Sequence, residues 1–151
     1  MAPIEIEIPA PTIRGVSFKA TPLALLFYKV TCPVCQMAAP AYSRLNELSQ
    51  GRVIGIGQDP APRLKDFAAE WGLNFPAVPD LDPFPASTAY GIEVVPTLVL
   101  VGPRERLVLD VVQSWDRAGV NRLAMTLTEL AGLGYHEVSS EGDGLPAFRP
   151  G

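Results

Sequence analysis

The sequence predicts an α/β domain built on a central mixed β-sheet flanked by helices. Three observations carry this. The run "LALLFYKV" (23–30) is almost unbroken in its apolarity, as a strand buried on both faces is. An amphipathic stretch and a second apolar run, "RVIGIGQ" (52–58), follow it and complete a βαβ unit with parallel strands. Two β-rich runs, "TLVLV" (97–101) and "LVLDVV" (107–112), are separated by five residues that include Gly102 and Pro103. That spacing reads as a hairpin, which makes the sheet mixed.

The elements follow in chain order. "IEIEI" (4–8) alternates with period two and reads as a strand with one wet face, ended by Pro9 and Pro11. Residues 12–18 read as a second short strand. After the first buried strand a helix is expected from about Cys32 to Ser49, with Met37, Tyr42, Leu45 and Leu48 on its apolar face. Thr31 is placed to cap it and Gly51 to end it. "APRLKDFAAEWG" (61–72) predicts a helix ended by Gly72, residues 73–85 a Pro-rich loop and 86–91 a helical turn, so the middle of the chain is a helical insertion. "DRAGVNRLAMTLTELAG" (116–132) predicts a closing amphipathic helix capped by Asp116. One domain is expected over residues 1–133, with N-terminal strands within 4–18 and a core over 23–131. The Gly/Pro-rich tail, 134–151, is expected to be extended or loose.

Composition narrows the function classes. The net charge is -4, from 12 basic and 16 acidic residues, and no compact run of Lys and Arg exists. Nucleic acid is excluded as a partner on that ground, because phosphate binding needs a basic surface. The most apolar segment is too short to cross a bilayer, so no membrane is expected. "MAPIEIEIPAP" has neither the positive start nor the apolar stretch of a secretory signal. As written, the chain reads as cytoplasmic, and a monomer is expected. Two close cysteines in a reducing compartment argue against a purely structural disulfide.

The stretch "VTCPVCQMAAP" (30–40) holds both cysteines of the chain. Cys32 falls in the first turn of the predicted helix, where unpaired N–H groups and the dipole favour a thiolate. Cys35 lies one turn further in. An exposed attacking thiol with a more buried resolving thiol is the geometry that disulfide exchange needs. One C-x-x-C supplies two ligands where zinc wants four, and the sole histidine, His136, sits in the tail, so no metal is assigned. In "GIEVVPTLVLV" (91–101), Pro96 precedes a strand, with Val95 ahead of it. Taken alone, Pro96 is simply a proline tolerated at a strand start. Trp71, Trp115 and Met37 read as packing residues, and Asp80 and Asp82 as turn residues.

Taken together, these motifs resemble those of the thioredoxin superfamily. "CPVCQMAAP" is similar to its active-site helix, with Pro40 at the family's spacing, and "GIEVVPTLVLV" resembles its cis-proline segment. The insertion "PRLKDFAAEWGLNFPAVPDLDPFPASTAYGI" looks like that of the TlpA/ResA-like, AhpC/TSA-related branch. The resemblance covers about residues 12–131. It implies a thiol–disulfide oxidoreductase with Cys32 as nucleophile and Cys35 as resolving thiol. It implies that Pro96 is cis and faces the pair, leaving the Val95 backbone free for an extended substrate. Thr31, Pro33 and Val34 would then border the substrate. The redox-active Cys32–Cys35 disulfide would be the only redox group, with no cofactor, and the partner a protein or small-molecule disulfide or thiol.

Three positions depart from the family pattern. Thr31 stands where a Trp is usual. Leu26 stands where thioredoxin has a buried acid, so the proton shuttle for the resolving thiol is unassigned. Pro33-Val34 replaces Gly-Pro, so the redox potential does not carry over. Lys29 is the nearest titratable residue and could favour a thiolate, although a solvent-facing lysine at a strand end is the simpler reading. Two other classes compete. A thiol peroxidase of the P-x-x-x-T-x-x-C type would use Cys35, but Cys32 stands in place of the Thr and Tyr28 in place of the Pro. A non-enzymatic module would hold a soft ion such as Cu(I) between two thiolates.

Overall fold

The structure, a computed structural model, describes residues 6–151. The chain order begins with β1 (Leu23–Tyr28), α1 (Pro33–Leu48), β2 (Val53–Gly57), α2 (Ala61–Trp71), β3 (Ala77–Pro79) and α3 (Pro85–Ala89). It continues with β4 (Thr97–Val101), β5 (Val108–Gln113), β6 (Trp115–Asp116), α4 (Arg117–Leu130) and β7 (Phe148–Arg149). The central sheet runs β3-β2-β1-β4-β5. β1 is parallel to β2 and antiparallel to β4, so the sheet is mixed.

β1 is the middle strand, and all six of its residues are buried. Its apolar run has no polar alternate because both faces are covered. Ala24, Leu26 and Tyr28 pack on one face with Tyr42 and Leu45 of α1 and with Leu123 and Leu127 of α4. Leu25 and Phe27 pack on the other with Ile56, Val99 and Tyr90. Each Leu, Ile, Val or Phe among them contributes about 1.5–3 kcal/mol by leaving water. This rigid strand delivers the chain to the start of α1.

The structure corrects several sequence expectations. β3 lies inside the segment expected to be a loop. It pairs with β2 in parallel, and Gly55 opposite Ala77 is bare because a Cβ there would meet the Tyr28 ring at 2.9 Å. Edge strands tolerate proline, so the Pro-rich composition hid it. The "IEIEI" strand is not formed over residues 6–8, and residues 4 and 5 lie outside the described residues. Glu7 takes a left-handed φ of 63°, and the segment meets the β5 edge through a Pro9–Leu107 bridge and backbone bonds of Glu7 and Ile8 to Val108 rather than as a strand. Residues 12–18 form a turn rather than a strand, closed by the Val16 N–H donating to the Ile13 carbonyl at 3.0 Å. The cap of α1 is Cys32, not Thr31. Asp116 occupies the cap position of α4, but its side chain makes no capping bond.

The C-terminal tail is fastened rather than loose. Asp143 accepts from the Ser139 hydroxyl at 2.6 Å and from the Leu145 N–H at 2.9 Å. Arg44 and Arg117 reach the same carboxylate at 3.4 Å. The Ser139 bond is the main reason that the Asp143 carboxyl is held below the usual range. The indole N–H of the fully buried Trp115 donates to the Pro146 carbonyl at 2.7 Å. β7 then pairs antiparallel with β6. Arg44 and Arg117 lie 99 and 26 positions from Asp143, and Trp115 lies 31 from Pro146, so no local pattern announces these contacts. Asp80 is likewise structural: it is buried and accepts from the Ala86 and Ser87 N–H groups at the start of α3.

Candidate active site

The site begins where β1 ends. The Val30 N–H donates to the buried Asp59 carboxylate at 2.9 Å, and the Gln36 amide donates to the Val30 carbonyl at 2.9 Å. These two bonds pin the turn that carries Cys32. The Cys32 backbone is extended (φ -82°, ψ 115°), and its sulfur accepts the Cys35 N–H at 3.3 Å. A sulfur therefore does the work usually done by a Ser or Asp oxygen at a helix start.

Two thiols on one helical turn meet opposite surroundings. Both cysteines are free; Cys32 is half-buried and Cys35 is 3% exposed. A hydrogen bond from the Cys35 thiol lowers the Cys32 pKa most; the backbone N–H groups of Cys35 and Val34 and the charge of Lys29 add to it, and burial opposes them. The result is a pKa of about 6. Cys35 is pushed the other way, first by that same hydrogen bond and then by burial. The two shifts favour the thiolate at Cys32 and the protonated thiol at Cys35.

The second wall of the site is the loop before β4. The Val95–Pro96 peptide is cis. In its protonated form the Cys32 thiol donates to the Val95 carbonyl at 3.5 Å. Thr97 shapes the loop by donating its hydroxyl to the Val94 carbonyl at 2.7 Å, and the Ser114 N–H donates to the Pro96 carbonyl at 2.8 Å.

The structure brings Cys32, Cys35, Val95 and Pro96 together. Thr31 and Pro33 are exposed on either side of Cys32, and Lys29 is also exposed. Val34 departs from expectation: its side chain is 7% exposed and packs in the core. The helix turns it inward, so it offers the site its backbone N–H and not its side chain. Sequence reasoning missed Asp59, Gln36 and Ser114. Asp59 follows a strand in "GQDP", which looks like an ordinary turn until the fold sets it beside Val30. The Tyr28 hydroxyl is buried without a partner. Burial, and then the charges of Asp59 and Cys35, hold it protonated.

A C-x-x-C at a helix start, facing a proline loop on this sheet, defines a thioredoxin-like fold. The chain belongs to the AhpC/TSA family, whose profile matches residues 10–109. Solved structures share the fold at low identity. The thioredoxin domain of a thiol-disulfide oxidoreductase from Bacteroides vulgatus superposes with a TM-score of 0.63 at 19% identity, covering 85% of this chain and 99% of that one. A secreted Mycobacterium tuberculosis disulfide oxidoreductase homologous to E. coli DsbE gives 0.57 at 22%, covering 72% and 81%. The peroxidoxin BcpB of Mycobacterium tuberculosis gives 0.58 at 23%, covering 72% and 79%. No curated protein matches the chain. No helix among the described residues is long and apolar enough to cross a membrane.

Proposed function

We propose that the protein is a thiol–disulfide oxidoreductase with Cys32 as nucleophile and Cys35 as resolving thiol. The observation that carries this reading is the placement of two free thiols one turn apart, with Cys32 half-buried at the helix start, its sulfur accepting the Cys35 N–H, and Cys35 buried behind it. The Cys32 thiolate attacks one sulfur of a substrate disulfide. That S–S bond breaks, the departing sulfur takes a proton, and a mixed disulfide remains. Cys35 then gives up its proton and attacks the Cys32 sulfur. The substrate leaves as a dithiol with two electrons gained, and the protein keeps the Cys32–Cys35 disulfide. Thr31 and Pro33 border the attacking sulfur, and the Val95 backbone offers hydrogen bonds to an extended substrate. Proteins and small molecules bearing a disulfide or thiol are the substrate class.

The peroxidase reading is weaker although a peroxidoxin shares the fold. It would need Cys35 as the peroxide-reactive thiol, and that sulfur is 3% exposed with its pKa raised. Reactive thiols are exposed and of low pKa. A cytoplasmic reductase is part of the proposal. A secreted oxidoreductase has the same fold, so the sense of exchange needs its own measurement.

That measurement is the reduction potential of the pair, from graded thiol/disulfide buffers and a mass count of alkylated cysteines. A value near about -270 mV marks a reductant, and one near about -120 mV an oxidant. Failure to form an intramolecular disulfide overturns the proposal.

A further inference from the structure

The tail reaches the substrate side of the site. Its anchored part stops at Ala147, whose carbonyl accepts the Arg117 N–H at 2.9 Å. Beyond it, Phe148 and Arg149 pair with Trp115 and Asp116. The Gly151 N–H donates to the Ser114 hydroxyl at 3.0 Å, and Ser114 itself holds the Pro96 carbonyl. Gly151 lies directly against the Val95 carbonyl: a Cβ there would run into that carbonyl and come within 3.4 Å of Pro96. The Val95 carbonyl is also the one that Cys32 contacts.

We propose that residues 148–151 are a built-in strap lying across the Val95 edge, which an extended polypeptide substrate must displace and a small disulfide need not. The word substrate rests on the oxidoreductase reading; the strap itself does not. Two features make it displaceable. Its pairing with Trp115 and Asp116 is main-chain, the kind that strand addition uses, and its one other bond, to the Ser114 hydroxyl, is open to replacement by a substrate N–H. Its side chains are exposed, with Phe148 at 57%, so opening it uncovers little apolar surface. The hinge is Ala147, because Trp115 and the Asp143 cluster hold everything before it.

The test compares alkylation of reduced Cys32 by free iodoacetamide with alkylation by an extended decapeptide carrying an iodoacetyl group. Wild type, a truncation after Ala147 and Gly151→Val are measured. The truncation keeps the Pro146 and Ala147 carbonyls, and Gly151→Val lifts the strap without deleting it. Should the truncation fail to fold, Gly151→Val still decides. The expected result is a peptide rate about tenfold higher in both variants, as when a closed fraction is released, with the iodoacetamide rate within about twofold. A peptide-to-iodoacetamide ratio equal to wild type overturns the strap. A raised ratio in a protein that exchanges no disulfide keeps the strap and overturns the oxidoreductase reading.

Discussion

In the helix half of the site, the groups that set the Cys32 ionisation come from within three residues of it: Cys35, Val34 and Lys29. In the edge half, Val95, Ser114 and Gly151 meet from three distant segments. The first half settles what the sulfur can do, because a helix start aims its own N–H groups at the residue that opens it. The second half is an assembled surface, and in the proposed reading it governs what can approach. Chemistry is local here and recognition is tertiary.

Breaking the helix half should cost most. Cys32→Ser is expected to lower reduction of a protein disulfide by roughly 10^3-fold or more, since no other thiolate can attack. Cys35→Ser should stop turnover after one event, with one substrate per chain retained as a mixed disulfide that intact mass detects; free release of product would contradict the resolving role. The pH dependence sharpens the contrast next. Alkylation of Cys32 should rise with a midpoint of about 6, the thiolate being lost as pH falls through that value. Removing the Cys35 hydrogen bond in Cys35→Ala removes the largest lowering cause, so the midpoint should move up toward an ordinary thiol. An unmoved midpoint would show that the backbone N–H groups act alone.

Residues that support the site should have smaller effects. Asp59→Ala leaves the buried Val30 N–H without an acceptor. The expected loss is about 1–3 kcal/mol, read as a lower urea midpoint of the oxidised protein. Lys29→Gln should have the smallest effect. Its charge is the last-ranked cause lowering Cys32, so the midpoint should rise slightly at low salt and not at all at high salt. A large, salt-independent shift would mean that Lys29 makes a direct bond to the sulfur.

The sheet and the paired thiols were legible because their signals are local. An apolar run on β1, a period of 3.6 on α1 and a C-x-x-C at their junction each lie within one stretch of chain. β3 was not legible, because three residues flanked by prolines carry too little periodicity to be told from a loop. The N-terminal alternation misled for the opposite reason. "IEIEI" has a strand's pattern, but Glu7 is left-handed and residues 6–8 form no strand, meeting the β5 edge only through Val108 and the bridge at Pro9.

By itself, then, the sequence determined the fold class and the position of the two thiols at a helix start, since these follow from hydrophobic period and helix polarity. Tertiary structure alone decided the rest. It turned Val34 inward, set Asp59 behind Val30 and fastened the tail through Asp143 and Trp115 onto the edge at Val95. The Asp59–Val30, Arg44–Asp143 and Trp115–Pro146 contacts join residues 29, 99 and 31 positions apart. Their free energy depends on a geometry that exists only once the sheet has formed.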